Sequence, residues 1–443
     1  MEEVDLLIKH GKILTQNSED RIINDGIIAI NDNTILDLGN FKDMEGLYEG
    51  EKRINAQNKL IIPGLVNTHT HLAMNLLRGF GEGVPLQKWL DDYIFPVEEK
   101  FVNEEFVYLG SVLAGLESIK YGITSVVDMY YFEDKVAEAL KKIGLRGVPS
   151  YSILDKSTPD SNNPEEAISN AKNFIKEWKN DELITPGIAP HSIYNTSEDL
   201  LLKTKKMSDK FNIPLSIHLA ENKREVSEVK DRFGYSPVNY LDKIGILDSN
   251  VIAAHCVHVN DEEIKILKNS GTNVAHCPIS NLKLSSGISP VGKMSNKGIN
   301  VSLGTDGSAS NNNLNLWEEI KTSILLQNIK CKEHNFNVSD TFFMSTGGGA
   351  KSIGLSQELG SLEEGKLADL VVLNSSSLEW FPCYNVKSNL VFSINGCDVE
   401  YVIINGKIVY ENGEFKTIAK EEIIEKSRRI VEKVESFSGN KKH

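Results

Sequence analysis

Short apolar runs separated by amphipathic stretches fill the middle of the chain. Runs of strand character cover Leu60–Val66, Ser125–Val127, Gly147–Ile153, Thr185–Ala189, Pro214–Ile217, Val251–Ala254, Thr272–Ala275 and Asn300–Leu303. Runs of this length bounded by turn signals read as strands buried on both faces. Between most of them lie stretches long enough for amphipathic helices, among them Pro164–Lys179, Ser197–Phe211 and Asp261–Asn269. Strands alternating with helices over about 300 residues predict an α/β fold built as a (β/α)8 TIM barrel, because an open sheet more often stops at five or six strands.

The two ends of the chain have another texture. Val4–Lys9, Lys12–Thr15 and Ile27–Ile30 read as strands, with Gly11, Gly26 and Asp32-Asn33 as turns. The same pattern returns in Ala368–Leu373, Leu390–Ser393 and Val399–Val409, with turn signals at Asn405-Gly406 and Asn412-Gly413. These ends predict a small β-sandwich assembled from residues 1–60 and 360–443, around a barrel over residues 61–359. Ala419–Val434 has the apolar spacing of a terminal helix.

Composition narrows the function classes. With 443 residues, 40% apolar and 25% charged, the chain is an ordinary soluble globular one. Its formal charge of −14 argues against nucleic-acid partners or an anionic membrane surface. No window approaches the ~20 apolar residues of a membrane span. The acidic start Met1-Glu2-Glu3-Val4-Asp5 lacks the basic-then-apolar pattern of a secretory signal, so a cytoplasmic location is expected. The five cysteines are odd in number and hold no C-x-x-C pair, which predicts reduced thiols and no zinc knuckle.

The ends of the central runs carry the chemistry. His69-Thr70-His71 follows the first, Asp128 the second, His191 the fourth and His218 with Glu221 the fifth. His255, His276 and Asp306 follow the last three. Barrel enzymes place their chemistry at the C-terminal ends of strands, so these residues converge on one mouth. Each alone has an ordinary reading, as a core histidine, a helix-start carboxylate or a turn aspartate; their coincidence at strand ends argues for a site.

In His69-Thr70-His71 both imidazoles point the same way along an extended backbone and can share one metal. His218 and Asp306 complete a three-nitrogen, one-oxygen set suited to Zn²⁺, with Fe²⁺ as the second choice. Glu221 reaches the same cavity without being a ligand, which suits a proton shuttle. Asp306 can also accept a proton from water, and His255 would orient the attacking oxygen. His258 and His276 read as structural, and Cys256 and Cys277 as buried fillers.

His69-Thr70-His71, His218-Leu219-Ala220-Glu221, His255-Cys256 and Gly304-Thr305-Asp306-Gly307 together resemble the amidohydrolase superfamily, in its mononuclear deaminase branch. The resemblance covers essentially the whole chain, through Gly365-Lys366-Leu367-Ala368-Asp369-Leu370-Val371. Binuclear relatives carry a carboxylated lysine after the fourth strand, where this chain reads Ala189-Pro190-His191, so the resemblance implies one divalent metal per chain.

More narrowly, Leu76-Leu77-Arg78-Gly79, Trp89-Leu90, Pro96-Val97-Glu98, His191-Ser192 and Ser280-Asn281-Leu282-Lys283-Leu284 resemble the 5′-methylthioadenosine/S-adenosylhomocysteine deaminases. That resemblance implies a hydrolytic deaminase of an adenosine-type nucleoside. Glu98 would bind the ribose hydroxyls and His191 the purine ring. Glu221, His255 and Asp306 would be catalytic, Glu221 and Asp306 would also contact substrate, and His69, His71, His218 and Asp306 would hold the metal.

Tyr151 and Asn163 stand where arginines in such relatives meet an amino-acid carboxylate. This departure favours a neutral 5′ group, as in methylthioadenosine, 5′-deoxyadenosine or adenosine, over S-adenosylhomocysteine. Two rival readings stay open: a hydrolase of guanine, cytosine or an s-triazine, and a non-catalytic barrel that only binds. Homo-oligomerisation also stays open.

Overall fold

A computed structural model describes residues 1–81, 83–84, 86–330 and 336–439. Five strands open the chain: β1 (Glu2–Leu14), β2 (Ile22–Asn31), β3 (Thr34–Asn40), β4 (Tyr48–Asn55) and β5 (Lys59–Pro63). Eight parallel strands follow: β6 (Leu65–Thr70), β7 (Ile123–Tyr130), β8 (Arg146–Ile153), β9 (Gly187–Pro190), β10 (Leu215–Leu219), β11 (Val251–His255), β12 (Asn273–His276) and β13 (Val301–Leu303). The chain then returns to the first sheet with β14 (Leu370–Asn374), β15 (Val399–Ile404), β16 (Lys407–Glu411) and β17 (Glu414–Phe415).

Strands β6 to β13 pair in sequence order, as the alternating pattern predicts. The seam between first and last strands is closed by side chains. Asn67 and Thr305 exchange two hydrogen bonds (2.8 and 3.0 Å), Thr68 Oγ1 donates to the Leu303 carbonyl (2.9 Å), and the Asp306 N–H donates to the His69 carbonyl (2.9 Å). Gly304 permits this approach, because a Cβ there would lie 2.7 Å from that of His69. The closure sets His69 and Asp306, 237 positions apart in the chain by their numbers (306 − 69), side by side.

The end strands form one connected mixed sheet of nine rather than two separate layers. Long strand β1 joins its parts, pairing with β2 along one edge and with β4 and then β5 along the other. The sheet folds over a core that includes Leu6, Ile8, Ile28, Ile61, Leu370 and Ile403, and a bridge from Thr34 to Leu367 ties its parts together.

The expected strands differ in three places. The runs that begin at Val4 and Lys12 belong to one strand, β1, which continues through Gly11 with a register shift there, and Gly26 pairs with Gly11 inside β2 instead of making a turn. Leu60–Val66 is not one strand: β5 pairs with β1 and β14, and β6 enters the barrel, the change falling at Gly64. A Cβ on Gly64 would collide with the Thr124 side chain, so the crossing needs glycine. Leu390–Ser393 is not a strand but the end of helix Val386–Phe392, which Asn385 caps by accepting the Ser388 N–H. A short apolar run fits either element, and here the cap decides. Helix Lys420–Gly439 closes the chain, and no helix among the described residues is long and apolar enough to cross a membrane. Cys256 and Cys277 are buried, Cys383 and Cys397 exposed, and all four are free thiols; Cys331 lies outside the described residues.

Candidate active site

At the C-terminal mouth of the barrel lies a cavity that opens to solvent. Its lining includes His71, His191, His218, Glu221, His255 and Asp306, together with Glu98. His69 adjoins it, nearly fully buried, with its Nε2 3.6 Å from Asp306 Oδ1. His71 Nε2 lies 3.2 Å from the same oxygen. Ligand atoms of His69, His71 and Asp306 fall within 4.8 Å of one another, and so do those of His69, His218 and His255.

The imidazoles are oriented from behind. Each of three histidines uses Nδ1 to donate a hydrogen bond: His71 to the Met129 carbonyl (2.6 Å), His218 to the His191 carbonyl (2.9 Å) and His255 to Asn281 Oδ1 (2.9 Å). With Nδ1 so engaged, Nε2 is the nitrogen each ring leaves for a metal. Burial lowers His71, but the hydrogen bond and charge of the Asp306 carboxylate raise it to about 9, so a cation bound there would displace the proton of His71 Nε2. The Nε2 of His69 is buried without a hydrogen-bond partner. Convergent imidazole nitrogens beside a carboxylate fit a divalent cation. His255 stands inside this ligand-distance group with His69 and His218.

Asp306 Oδ2 accepts a hydrogen bond from Ser280 Oγ (2.6 Å), and Oδ1 accepts the Gly307 N–H (2.8 Å). Burial pushes this carboxyl up, but the hydrogen bond and charge of His71, with the charges of His69 and His255, hold it well below the usual range. It is therefore a carboxylate. Burial pushes Glu221 the other way, above the ordinary range, while Ser286 Oγ donates to its Oε1 (3.2 Å). A carboxyl that holds its proton more firmly sits within the same cavity as one that has lost it, the division of labour acid–base chemistry uses.

His191 is neutral. Burial and then the positive charges of His71 and Lys156 lower it to about 3. Asn195 Nδ2 lies 2.9 Å from His191 Nδ1 while Asn195 Oδ1 accepts from Ser192, so Nδ1 accepts and Nε2–H is the free donor. Glu98, on helix Phe95–Phe101 after a π-helical turn over Leu90–Ile94, is buried in the cavity wall and not a surface helix residue. Tyr130 Oη donates to its Oε1 (2.6 Å). Trp89, Phe95, Tyr131 and Leu284 supply apolar walls.

Several expected positions fall elsewhere. Asp128 lies buried outside the lining, accepting the Thr70 hydroxyl (2.8 Å) and Leu72 N–H (2.6 Å). His258 and His276 read as structural: the Nε2–H of His258 donates to the Ser286 carbonyl (2.8 Å), and His276 is fully buried with both ring nitrogens unpartnered. Tyr151 packs on Phe174, and Asn163 caps helix Pro164–Trp178; neither lines the cavity. The residue types at these two positions therefore say nothing about the 5′ group. Lys156, whose Nζ sits 4.6 Å from the centroid of cavity residue Phe95, is a cation near the mouth.

Sequence reasoning missed the glutamates that hold the strand-end loops. Buried Glu225 accepts the N–H groups of Ala220 and Glu221 (both 2.8 Å), and Glu133 accepts that of Tyr130. The signal was present for the first: Asn222 and Glu225 have capping-box spacing, and Asn222 accepts the Glu225 N–H (2.9 Å).

Known proteins are similar to this chain over most of its length. The chain is 41% identical over 424 residues to a 5-methylthioadenosine/S-adenosylhomocysteine deaminase of Thermodesulfovibrio yellowstonii, covering 95% of this chain and 97% of that protein. It is 41% identical over 409 residues to a 5′-deoxyadenosine deaminase of Methanocaldococcus jannaschii, covering 91% and 96%. A solved adenosine deaminase from Xanthomonas campestris with bound zinc superposes with a TM-score of 0.96 at 30% identity, over 98% of this chain and 99% of that one. The amidohydrolase family model matches residues 60–409, and the chain belongs to that family.

Proposed function

We propose that this protein is a metal-dependent hydrolytic deaminase that converts an adenosine-type nucleoside to its inosine analogue and ammonia. One observation carries the reading: a single cavity holds the histidine–aspartate cluster, the Glu221 carboxyl, raised by burial, and two further groups, His191 and Glu98, whose chemistry suits a ribosylated purine. Its relatives named as methylthioadenosine and 5′-deoxyadenosine deaminases support that substrate class.

His69, His71, His218 and Asp306 would hold one divalent cation, Zn²⁺ first and Fe²⁺ second, with His255 beside them. When bound, such a cation lowers the pKa of water toward neutrality, so a nucleophile is available near pH 7. Among the described residues no lysine lines the cavity, in keeping with a single metal.

The protein's own groups then move the protons. Glu98 accepts hydrogen bonds from the ribose 2′ and 3′ hydroxyls, and His191 Nε2–H donates to a ring nitrogen of the purine. Asp306 takes a proton from water as its oxygen bonds to C6, while Glu221 gives its proton to the adjacent ring nitrogen. Asp306 passes its proton to the 6-amino group, the C6–N bond breaks, and ammonia leaves. The new hydroxyl returns a proton to Glu221, which restores both carboxyls and leaves the 6-oxo product.

Metal analysis combined with ammonia release over a substrate panel tests the proposal. The expected result is about one divalent ion per chain, lost in His69→Ala and His218→Ala, with turnover of adenosine-type nucleosides. Two ions per chain would refute the mononuclear site. Faster turnover of free guanine, cytosine or an s-triazine would remove the ribose role of Glu98, and no turnover by metal-loaded protein would leave a binding protein.

A further inference from the structure

We propose that Glu319 is a positioning residue that keeps His255 and Asp306 in register with one another; this rests on the roles given to those two residues above. Glu319 lies on helix Leu316–Lys330, fully buried and outside the cavity lining. One carboxylate oxygen accepts the Ile279 N–H (3.1 Å) and the other accepts from the Asn311 side-chain amide (2.6 Å).

Each partner leads directly to the site. Ile279 precedes Ser280, which donates to Asp306, and Asn281, which accepts from His255. The Asn311 amide also donates to the carbonyl of Thr305 (2.7 Å), the residue before Asp306. A single buried carboxyl group thus ties the short helix Pro278–Lys283 after β12 to the short helix Ser308–Asn311 after β13.

Both partners of Glu319 are N–H donors and oppose the burial that raises its carboxyl well above the ordinary range; glutamine would put an N–H donor in place of one of the two oxygens that accept here. The geometry being held is demanding. His255 and Asp306 have φ of 73° and 63°, left-handed values that ordinary residues keep only when their surroundings over-determine them. Glu263 is the natural control. It too is buried and accepts a backbone N–H, that of Asn260 (2.8 Å), but it ties only the start of its own helix Asp261–Ser270.

The experiment compares Glu319→Gln with Glu263→Gln in metal-loaded protein, using whichever nucleoside turns over fastest. For Glu319→Gln, kcat should fall about 10- to 100-fold, with KM within about threefold, and metal should pass to a chelator about tenfold faster. Glu263→Gln should lose thermal stability while keeping kcat and metal retention. Equal behaviour of the two variants overturns the proposal. Asn311→Ala cuts only the Thr305 arm; it should lower kcat less, and add little to Glu319→Gln because both changes act on one linkage. Unchanged kcat in Asn311→Ala overturns the proposal even where Glu319→Gln does not fold. Failure of every nucleoside in the wild type would count against the deaminase reading, while the metal-retention comparison would still judge Glu319.

Discussion

Tyr130 donates its hydroxyl proton to Glu98 across 2.6 Å, and both side chains are buried in the cavity wall. The bond joins the end of β7 to helix Phe95–Phe101, and it bears on the charge of Glu98. Burial raises this carboxyl to about 7, against the opposing effects of the Tyr130 hydrogen bond and the positive charges of His71 and Lys156.

A pH dependence follows. Only the ionised carboxylate accepts from both ribose hydroxyls. Glu98 is increasingly protonated as pH falls through about 7, so kcat/KM for a riboside should fall with it. Tyr130→Phe removes an interaction that favours the charged form and should shift this acid limb to higher pH. Glu98→Gln should abolish it. An acid limb unmoved in Tyr130→Phe, or moved to lower pH, would count against the coupling.

Glu221 gives a separate handle on chemistry. Glu221→Gln keeps the shape and the Ser286 contact but loses the transferable proton. It should retain metal and bind nucleoside, while kcat drops by about two or more orders of magnitude, the scale of general acid–base catalysis. Near wild-type kcat would exclude Glu221 from proton transfer.

The join between barrel and end sheet rests on a buried ion pair. Arg146 of β8 donates to both carboxylate oxygens of Asp369 (2.9 and 3.1 Å), and Asp369 also accepts the Asn405 N–H (2.8 Å). Breaking such a pair strands one buried charge, so Arg146→Ala should lower unfolding free energy by about 3–5 kcal/mol, read as a lower urea midpoint. Replacing both partners with apolar residues of similar volume should recover part of the loss. A midpoint within error of wild type in Arg146→Ala would show that the pair contributes nothing.

The barrel was legible because fully buried parallel strands write themselves as short apolar runs, and the site because its ligands follow those runs directly. His69, His218 and Asp306 carry their signal in what precedes them. Glu133 and Glu319 do not, and Glu225 shows only its capping-box spacing after Asn222: a glutamate near a helix start looks solvated, and only packing reveals that its carboxyl turns back toward the segments that follow the strands. The Gly64 crossing was hidden for a related reason. Ile62 and Val66 are equally apolar, and nothing local says that they belong to different sheets.

The 5′ group is where sequence and geometry part. Tyr151 and Asn163 stand outside the cavity, so their lack of charge gives no reason to disfavour a carboxylate-bearing substituent. Lys156 provides an opposing reason, since its ammonium lies over Phe95 of the cavity wall and its charge acts on both Glu98 and His191. Lys156 is exposed, and exposed ion pairs are worth about 0.2–1 kcal/mol, so the effect should be modest. The kcat/KM ratio of S-adenosylhomocysteine to methylthioadenosine should fall about two- to fivefold in Lys156→Ala, and further in Lys156→Glu, with methylthioadenosine itself little changed. Because the attraction is between solvated charges, the difference should shrink in about 0.5 M salt. A ratio that does not move in either variant would show that Lys156 does not meet the 5′ carboxylate.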